Sequence, residues 1–226
     1  MGSPSNLGSP SKLAFDISTF DHTPSYCEEN VYRLCKKLMT IGVADADGKD
    51  LFVVFISNKN KQVPLWHQKA SKRGDGLTLW DYHVICVQQN GEDNTHQVWD
   101  LDSSLPFPSP LTHYVSEAIR PSFQLYHGYQ RLFRVVHAPN FLRFFATDRR
   151  HMKDSVGNWI SQPPPFEPVV AEDGTVHNLD EYIQIISSSS DSDDFSAIAV
   201  HTEKLGVVVS EDKLENFFSL TYLVDR

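Results

Sequence analysis

The sequence predicts an α+β domain in which one amphipathic helix lies on an antiparallel sheet, and three stretches carry that prediction. Leu79 to Asp102 (LWDYHVICVQQNGEDNTHQVWDLD) contains two runs rich in β-branched and aromatic residues, Leu79 to Val87 and His96 to Leu101. The turn-forming run Asn90, Gly91, Glu92, Asp93, Asn94 separates them, which is the pattern of a hairpin. LFVVFIS, Leu51 to Ser57, is a continuous apolar run of strand length, as expected of a central strand covered on both faces. After Ser25, the residues Val31, Leu34, Cys35 and Leu38 recur at helical spacing and define one buried stripe. Consecutive strands with short turns and one early helix give α+β layering.

Taken in order, Met1 to Lys12 is rich in Gly, Ser and Pro with little to bury, so residues 1–21 read as a disordered extension or an expression scar, and residues 22–226 as a single domain. Leu13 to Phe20 is apolar enough to dock as an extended segment. The helix has two candidate starts. Ser25 and Glu28 fit a capping box, and Thr23 followed by Pro24 fits a start two residues earlier. Gln62 to Trp66 is a shorter strand that its proline confines to an edge or a bulge. Lys69 to Gly76 is a basic loop, and Asp102 to Pro110 a rigid Pro-rich connection with no place in a ladder. Leu111 to Arg120 reads as a helix stopped by Pro121, Leu132 to Val136 as a strand, and Pro139 to Thr147 as a helix opened by its proline. Asp148 to Pro165 is long and punctuated, hence a surface loop, and Ser187 to Asp194 an acidic low-complexity loop. Gly206 to Val209 and a helix from Ser210 through Phe218 close the chain.

The hairpin brings chemistry together. A loop centred between Gly91 and Glu92 sets His83 opposite Asp100, near enough for a carboxylate to hold an imidazole, and a slip of one residue would separate them. Cys27 shares the buried stripe of the helix and sits in its first turn, where exposed N–H groups and the helix dipole lower a thiol's pKa. Cys27, His83 and Asp100 thus stand as nucleophile, base and orienting acid, with backbone N–H groups near the helix start left for a developing oxyanion. Each also has a plainer reading, as a small buried hydrophobe, a satisfied core histidine and a strand-end acid, and taken singly those readings are the commoner ones. The three together favour catalysis. Cys35 lies deeper in the helix and Cys86 on the other strand face from His83, so both are weaker nucleophiles. Trp80, Tyr82 and Trp99 alternate to the far face as core, while Asp81 shares the His83 face. His151 and Arg149 are loop residues able to touch a substrate, or simply solvated. A zinc site is conceivable, but one Cys and one His fall short of a closed four-ligand set.

Composition sets outer bounds. The chain has 226 residues, a formal net charge of −9 and 3 cysteines at wide spacing. The acidic balance argues against a nucleic-acid surface, and the odd cysteine count against a disulfide framework. No apolar run approaches the roughly 20 residues of a membrane span, and no secretory signal or lipid anchor opens the chain, so a cytoplasmic protein is expected.

At these residues the sequence resembles the protein N-terminal glutamine amidohydrolases, a family with a WDYHV signature, intact here as Trp80-Asp81-Tyr82-His83-Val84. Similar segments run in the same order. They are Tyr26-Cys27-Glu28-Glu29-Asn30, Phe55-Ile56-Ser57-Asn58, Trp99-Asp100-Leu101-Asp102 with Leu105-Pro106-Phe107-Pro108, Asp148-Arg149 with His151-Met152-Lys153, and Pro163-Pro164-Pro165. Their spelling is similar to that of plant members. The resemblance implies a papain- and transglutaminase-like core and a Cys27, His83, Asp100 triad. It implies hydrolysis of the side-chain carboxamide of an N-terminal glutamine to glutamate and ammonia, with no cofactor or metal. It further implies a monomer in cytoplasm and nucleus, acting on protein or peptide substrates, with the arginylation branch of the N-degron pathway and its enzymes downstream. Selecting a free N-terminus demands a carboxylate for the α-ammonium, with Asp81 the first candidate and Glu28 or Glu29 next. The alternatives are a non-catalytic module that recognises N-terminal residues, and a transglutaminase or thiol protease with the same triad.

Overall fold

The computed structural model describes residues 15–91, 95–185 and 193–224. Most of the extension at 1–21, the tip of the central hairpin at 92–94 and most of the Ser/Asp run, 187–192, lie outside the described residues. In chain order the elements are α1 (Cys27–Thr40), β1 (Leu51–Ser57), β2 (Val63–Leu65), β3 (Thr78–Trp80), β4 (His83–Asn90), β5 (Thr95–Trp99), β6 (Ser109–Pro110), α2 (Leu111–Tyr114), β7 (Leu132–His137), α3 (Ala138–Phe144), α4 (Leu179–Ile183), α5 (Asp193–Thr202), β8 (Val207–Ser210) and α6 (Leu214–Val224).

Six strands form one antiparallel sheet in the order β6-β5-β4-β1-β7-β8, and β2 and β3 pair separately. The architecture is α+β. The continuous apolar run of β1 has the predicted cause, because every residue of it is buried. Val53 and Phe55 face a layer built from Val31, Leu34, Cys35 and Leu38 of α1, Phe141 of α3 and Tyr182 of α4. Phe52, Val54 and Ile56 face a second layer with Tyr114 of α2, Val200 of α5 and Phe217 and Phe218 of α6. Helices therefore cover both faces of the sheet rather than the single face expected from sequence.

Several local expectations need correction. The expected strand Leu79 to Val87 breaks at Asp81 and Tyr82, so β3 leaves to pair with β2 while His83 begins β4. In the ladder Trp99 faces Cys86, where a loop centred on Gly91 and Glu92 would have put Val84, a register shift of two residues. An even shift keeps every side chain on its face. No capping box opens α1. Tyr26 flanks the helix without a side-chain cap, Ser25 takes a left-handed φ of 70°, and Glu28 is turned inward to the Tyr82 hydroxyl. Asn30 fixes the entry instead, accepting from the Thr23 N–H and donating to the Thr23 carbonyl, both at 2.8 Å. Ile17–Thr19 is a 3-10 turn within the segment expected to be extended. Ser109–Pro110 does enter the ladder beside β5. The helix from Leu111 becomes a π-helical turn over Val115–Ile119 and ends where Arg120 adopts a left-handed φ.

Candidate active site

The break in the hairpin creates the site. By placing His83 first in β4, it sets the imidazole at the end of the sheet where α1 begins, with Trp80 stacked on the ring at 5.2 Å. His83 is fully buried. Its Nε2 is 3.1 Å from Asp100 Oδ1, and its Nδ1 is buried without a hydrogen-bond partner. Asp100 is held on both oxygens, since Oδ2 accepts from the Tyr114 hydroxyl at 2.8 Å and Oδ1 from the Asp102 N–H at 2.9 Å. Burial works to lower the His83 pKa, but the Asp100 charge and hydrogen bond outweigh it and leave it raised. Burial likewise opposes the charged form of Asp100, yet His83, Tyr114 and the Asp102 N–H hold that carboxyl below its usual range.

Cys27 is the first residue of α1 and is buried on the α1 side of the sheet. The backbone N–H of Val84, one residue past His83, is near enough to its sulfur to favour the thiolate. The expectation of a depressed thiol pKa is overturned. Burial pushes the Cys27 thiol well above its ordinary value, with Glu28 and Asp102 adding to the effect and the Val84 N–H opposing it. The resting group is a thiol, which a neighbouring base would have to deprotonate for it to act as a nucleophile.

The other residues singled out from sequence are placed as follows. Asp81 is exposed at the bend before β4, where its Oδ1 accepts from the Tyr82 N–H. It therefore does not share a strand face with His83. Glu29 is buried and paired in two bonds of 2.7 Å with Arg149, which also donates to the Phe166 carbonyl. With Tyr26 donating to the Ser161 carbonyl, these contacts fasten the loop after Asp148 onto the start of α1. Arg149 is thus a staple rather than a solvated loop charge, and His151 is exposed, its ring 6.3 Å from that of Tyr82. Glu28 is almost wholly buried. Its Oε2 accepts from the Tyr82 hydroxyl at 2.9 Å and lies 3.7 Å from Cys27 Sγ, while Oε1 is buried without a partner. Burial raises the Glu28 carboxyl to about 7. Cys35 and Cys86 lie in the core with their sulfurs 3.8 Å apart.

Sequence reasoning missed Tyr82, Tyr114, Asp102 and His22 as parts of this network. Tyr82 packs in the α1-side core with Trp99, as its alternation implies, and the contact unmarked in the sequence is that of its hydroxyl with Glu28. Asp102 Oδ1 accepts from the His22 ring at 2.8 Å, and its only local signal was its spacing from Asp100. Among the described residues, His83, Asp100 and Asp102 are the group whose ligand atoms converge within 4.8 Å, as a metal site would require. In that group the His83 Nε2 and both carboxylates are already engaged with one another, the Asp102 N–H, Tyr114 and His22. A groove of about 1310 Å³ runs from Asp81 past Ser57, Asn58 and Lys61 to Gln184 and Glu211.

A cysteine at a helix start and a histidine fixed by a buried aspartate are the parts of an amide-cleaving centre, and the comparisons with known proteins agree in kind. The family model described as N-terminal glutamine amidase matches residues 22–218. The chain is 60% identical over 210 residues to the protein N-terminal glutamine amidohydrolase of Arabidopsis thaliana, covering 92% of this chain and 95% of the relative. It is 57% identical to that of Oryza sativa subsp. indica, covering 90% and 89%, and 38% identical to that of Homo sapiens, covering 73% and 78%. With a model spanning most of the chain and every one of these segments within it, the chain belongs to the N-terminal glutamine amidase family, enzymes that hydrolyse an amide.

Proposed function

We propose that this enzyme hydrolyses the side-chain carboxamide of an N-terminal glutamine in proteins or peptides, through a glutamyl thioester on Cys27 in a papain- or transglutaminase-like core formed by residues 22–226. The observation that carries this reading is the His83 ring, with Nε2 bound to Asp100 and Nδ1 buried and unengaged. Asp100 on Nε2 fixes the tautomer that leaves Nδ1 as the base. Nδ1 takes the thiol proton and the sulfur attacks the carboxamide carbon. The developing oxyanion is met by backbone N–H groups at the start of α1, and the C–N bond breaks as ammonia leaves with the proton from His83. Water, deprotonated by His83, then cleaves the C–S bond, giving glutamate and the free thiol. The scheme uses no metal or organic cofactor.

Recognition of a free N-terminus requires a carboxylate. Of the three considered, Glu29 is already committed to Arg149, which leaves Asp81 and Glu28. A monomer working in cytoplasm and nucleus, with the N-degron arginylation branch consuming the new N-terminal glutamate, completes the reading. The test is to incubate a Gln-initiated peptide with the enzyme and with Cys27→Ser, and to measure ammonia. Release by the wild type and a fall of about 10³-fold or more in the variant are expected. A recognition module releases no ammonia, a transglutaminase requires an amine acceptor, and a protease shortens the peptide; any of these results overturns the reading.

A further inference from the structure

Each acid around the site has an evident charge partner or open water except Glu28. Asp100 faces His83, Asp102 faces His22, Glu29 faces Arg149 and Asp81 is exposed. The titratable groups near Glu28 are Tyr26 just before α1, Cys27 and Glu29 on α1, and Tyr82 and His83 from the opposing strand side. None of them brings a cationic side chain into hydrogen-bond contact with it among the described residues. Burial also keeps the Tyr82 phenol protonated, so it stays a donor to Oε2. A buried carboxylate with one oxygen unpartnered is a costly arrangement unless a ligand supplies the missing cation.

The proposed reaction supplies one, and it also creates a hazard. Four bonds separate the α-nitrogen of an N-terminal glutamine from its carboxamide carbon, so the α-ammonium lies close to the attacking sulfur, as the Glu28 carboxylate does at 3.7 Å. Once ammonia has left, the acyl group is a γ-glutamyl thioester carrying an amine in the same residue. If that amine is neutral, its lone pair attacks the thioester carbonyl. A C–N bond forms, the C–S bond breaks, the amine proton passes to the thiolate, and a five-membered lactam leaves as a pyroglutamyl peptide. Intramolecular attack of this kind is strongly favoured, and an unpaired N-terminal amine, with a pKa of about 7.7–8.0, is partly neutral at working pH.

We propose, on the reading that the enzyme deamidates N-terminal glutamine, that Glu28 receives the substrate's α-ammonium on its unpartnered oxygen and, by keeping it protonated, commits the acyl-enzyme to release by water instead of ring closure. Glu28 is then a specificity-determining residue twice over, selecting a free N-terminus and selecting the product. An ammonium has no lone pair, and a carboxylate beside it in a buried site holds it in that form. The anchor also sets reach. Asparagine, one bond shorter, cannot span from Glu28 to the sulfur in the same way.

The test reads product identity by mass spectrometry on a Gln-initiated peptide, using the full chain and Glu28→Gln across pH 6–9, with a no-enzyme control for spontaneous cyclisation. Wild type yields the glutamyl product alone. Glu28→Gln is expected to raise KM by about 10- to 100-fold and to release a pyroglutamyl fraction, lighter by one water, that grows with pH. Glutamyl product alone from the variant at pH 9 overturns the proposal. Should the variant be inactive, the wild type decides. The ratio of kcat/KM for the Gln peptide to that for its desamino analogue falls as pH drops and Glu28 becomes neutral, and a ratio constant from pH 5.5 to 8 overturns the proposal. Absence of ammonia release by the wild type would instead remove the proposed function itself.

Discussion

His83 and Asp100 meet at 3.1 Å without being ladder partners, because the register that pairs Cys86 with Trp99 puts them on a diagonal of the β4–β5 pair. Diagonal neighbours share a face and remain within reach of long side chains. The contact is made rigid by Tyr114 and the Asp102 N–H, which hold the Asp100 carboxylate on both oxygens.

Replacing Asp100 with Asn therefore tests orientation separately from packing. The amide keeps a buried polar group for Tyr114 but can turn its NH₂ toward Nε2, which forces the proton onto Nδ1 and removes the base. Ammonia release is expected to fall by about 10³–10⁴-fold with an unchanged fold. A variant within tenfold of wild type by the same assay, with a native circular dichroism spectrum, would show that His83 needs no oriented tautomer.

Glu28 should reduce stability at neutral pH. Its folded pKa, about 7, stands above the ordinary glutamate value of 4.5, so between those values the folded state holds a proton that the unfolded chain has lost, and stability falls as pH rises through the window. The difference corresponds to about 3 kcal/mol. Glu28→Gln should then be more stable than wild type by up to that amount at pH 8 and nearly equal to it at pH 4.5. Denaturant unfolding at the two pH values checks this, and parallel pH dependence in both proteins contradicts it.

Arg149→Met should be among the most destabilising single changes near the site. It leaves the Glu29 carboxylate buried without its counter-ion and releases the Phe166 carbonyl, so a loss of about 3–5 kcal/mol is expected. The double change Arg149→Met with Glu29→Leu should recover much of it. Thermal unfolding of the single and double variants measures both.

Asp81→Asn should be mild. The carboxylate is exposed, and an ion pair made in water contributes no more than about 1 kcal/mol, so KM for a Gln peptide should rise by less than about fivefold with turnover unchanged. A larger rise than that caused by Glu28→Gln would move the ammonium site to Asp81.

What the sequence by itself determined is what repeats at short range. The stripe of Val31, Leu34, Cys35 and Leu38 follows from helical spacing and carries Cys27 to the sheet, and the run of β1 marks the strand that both layers pack on. The approach of His83 to Asp100 survived a wrong turn centre because side chains on a strand alternate with a period of two, and a shift of two preserves the face. Only the tertiary structure decided the electrostatics. Glu29 meets Arg149 across 120 residues, Glu28 meets Tyr82 across 54, and no periodic pattern encodes such contacts. The break at Asp81 is equally a product of competition, since β3 gains its partner in β2 only once the chain is folded. Local sequence could thus place a thiol at a helix start, but the direction in which its pKa moves is set first by burial and then by the charges of Glu28 beside it and Asp102 brought in from elsewhere.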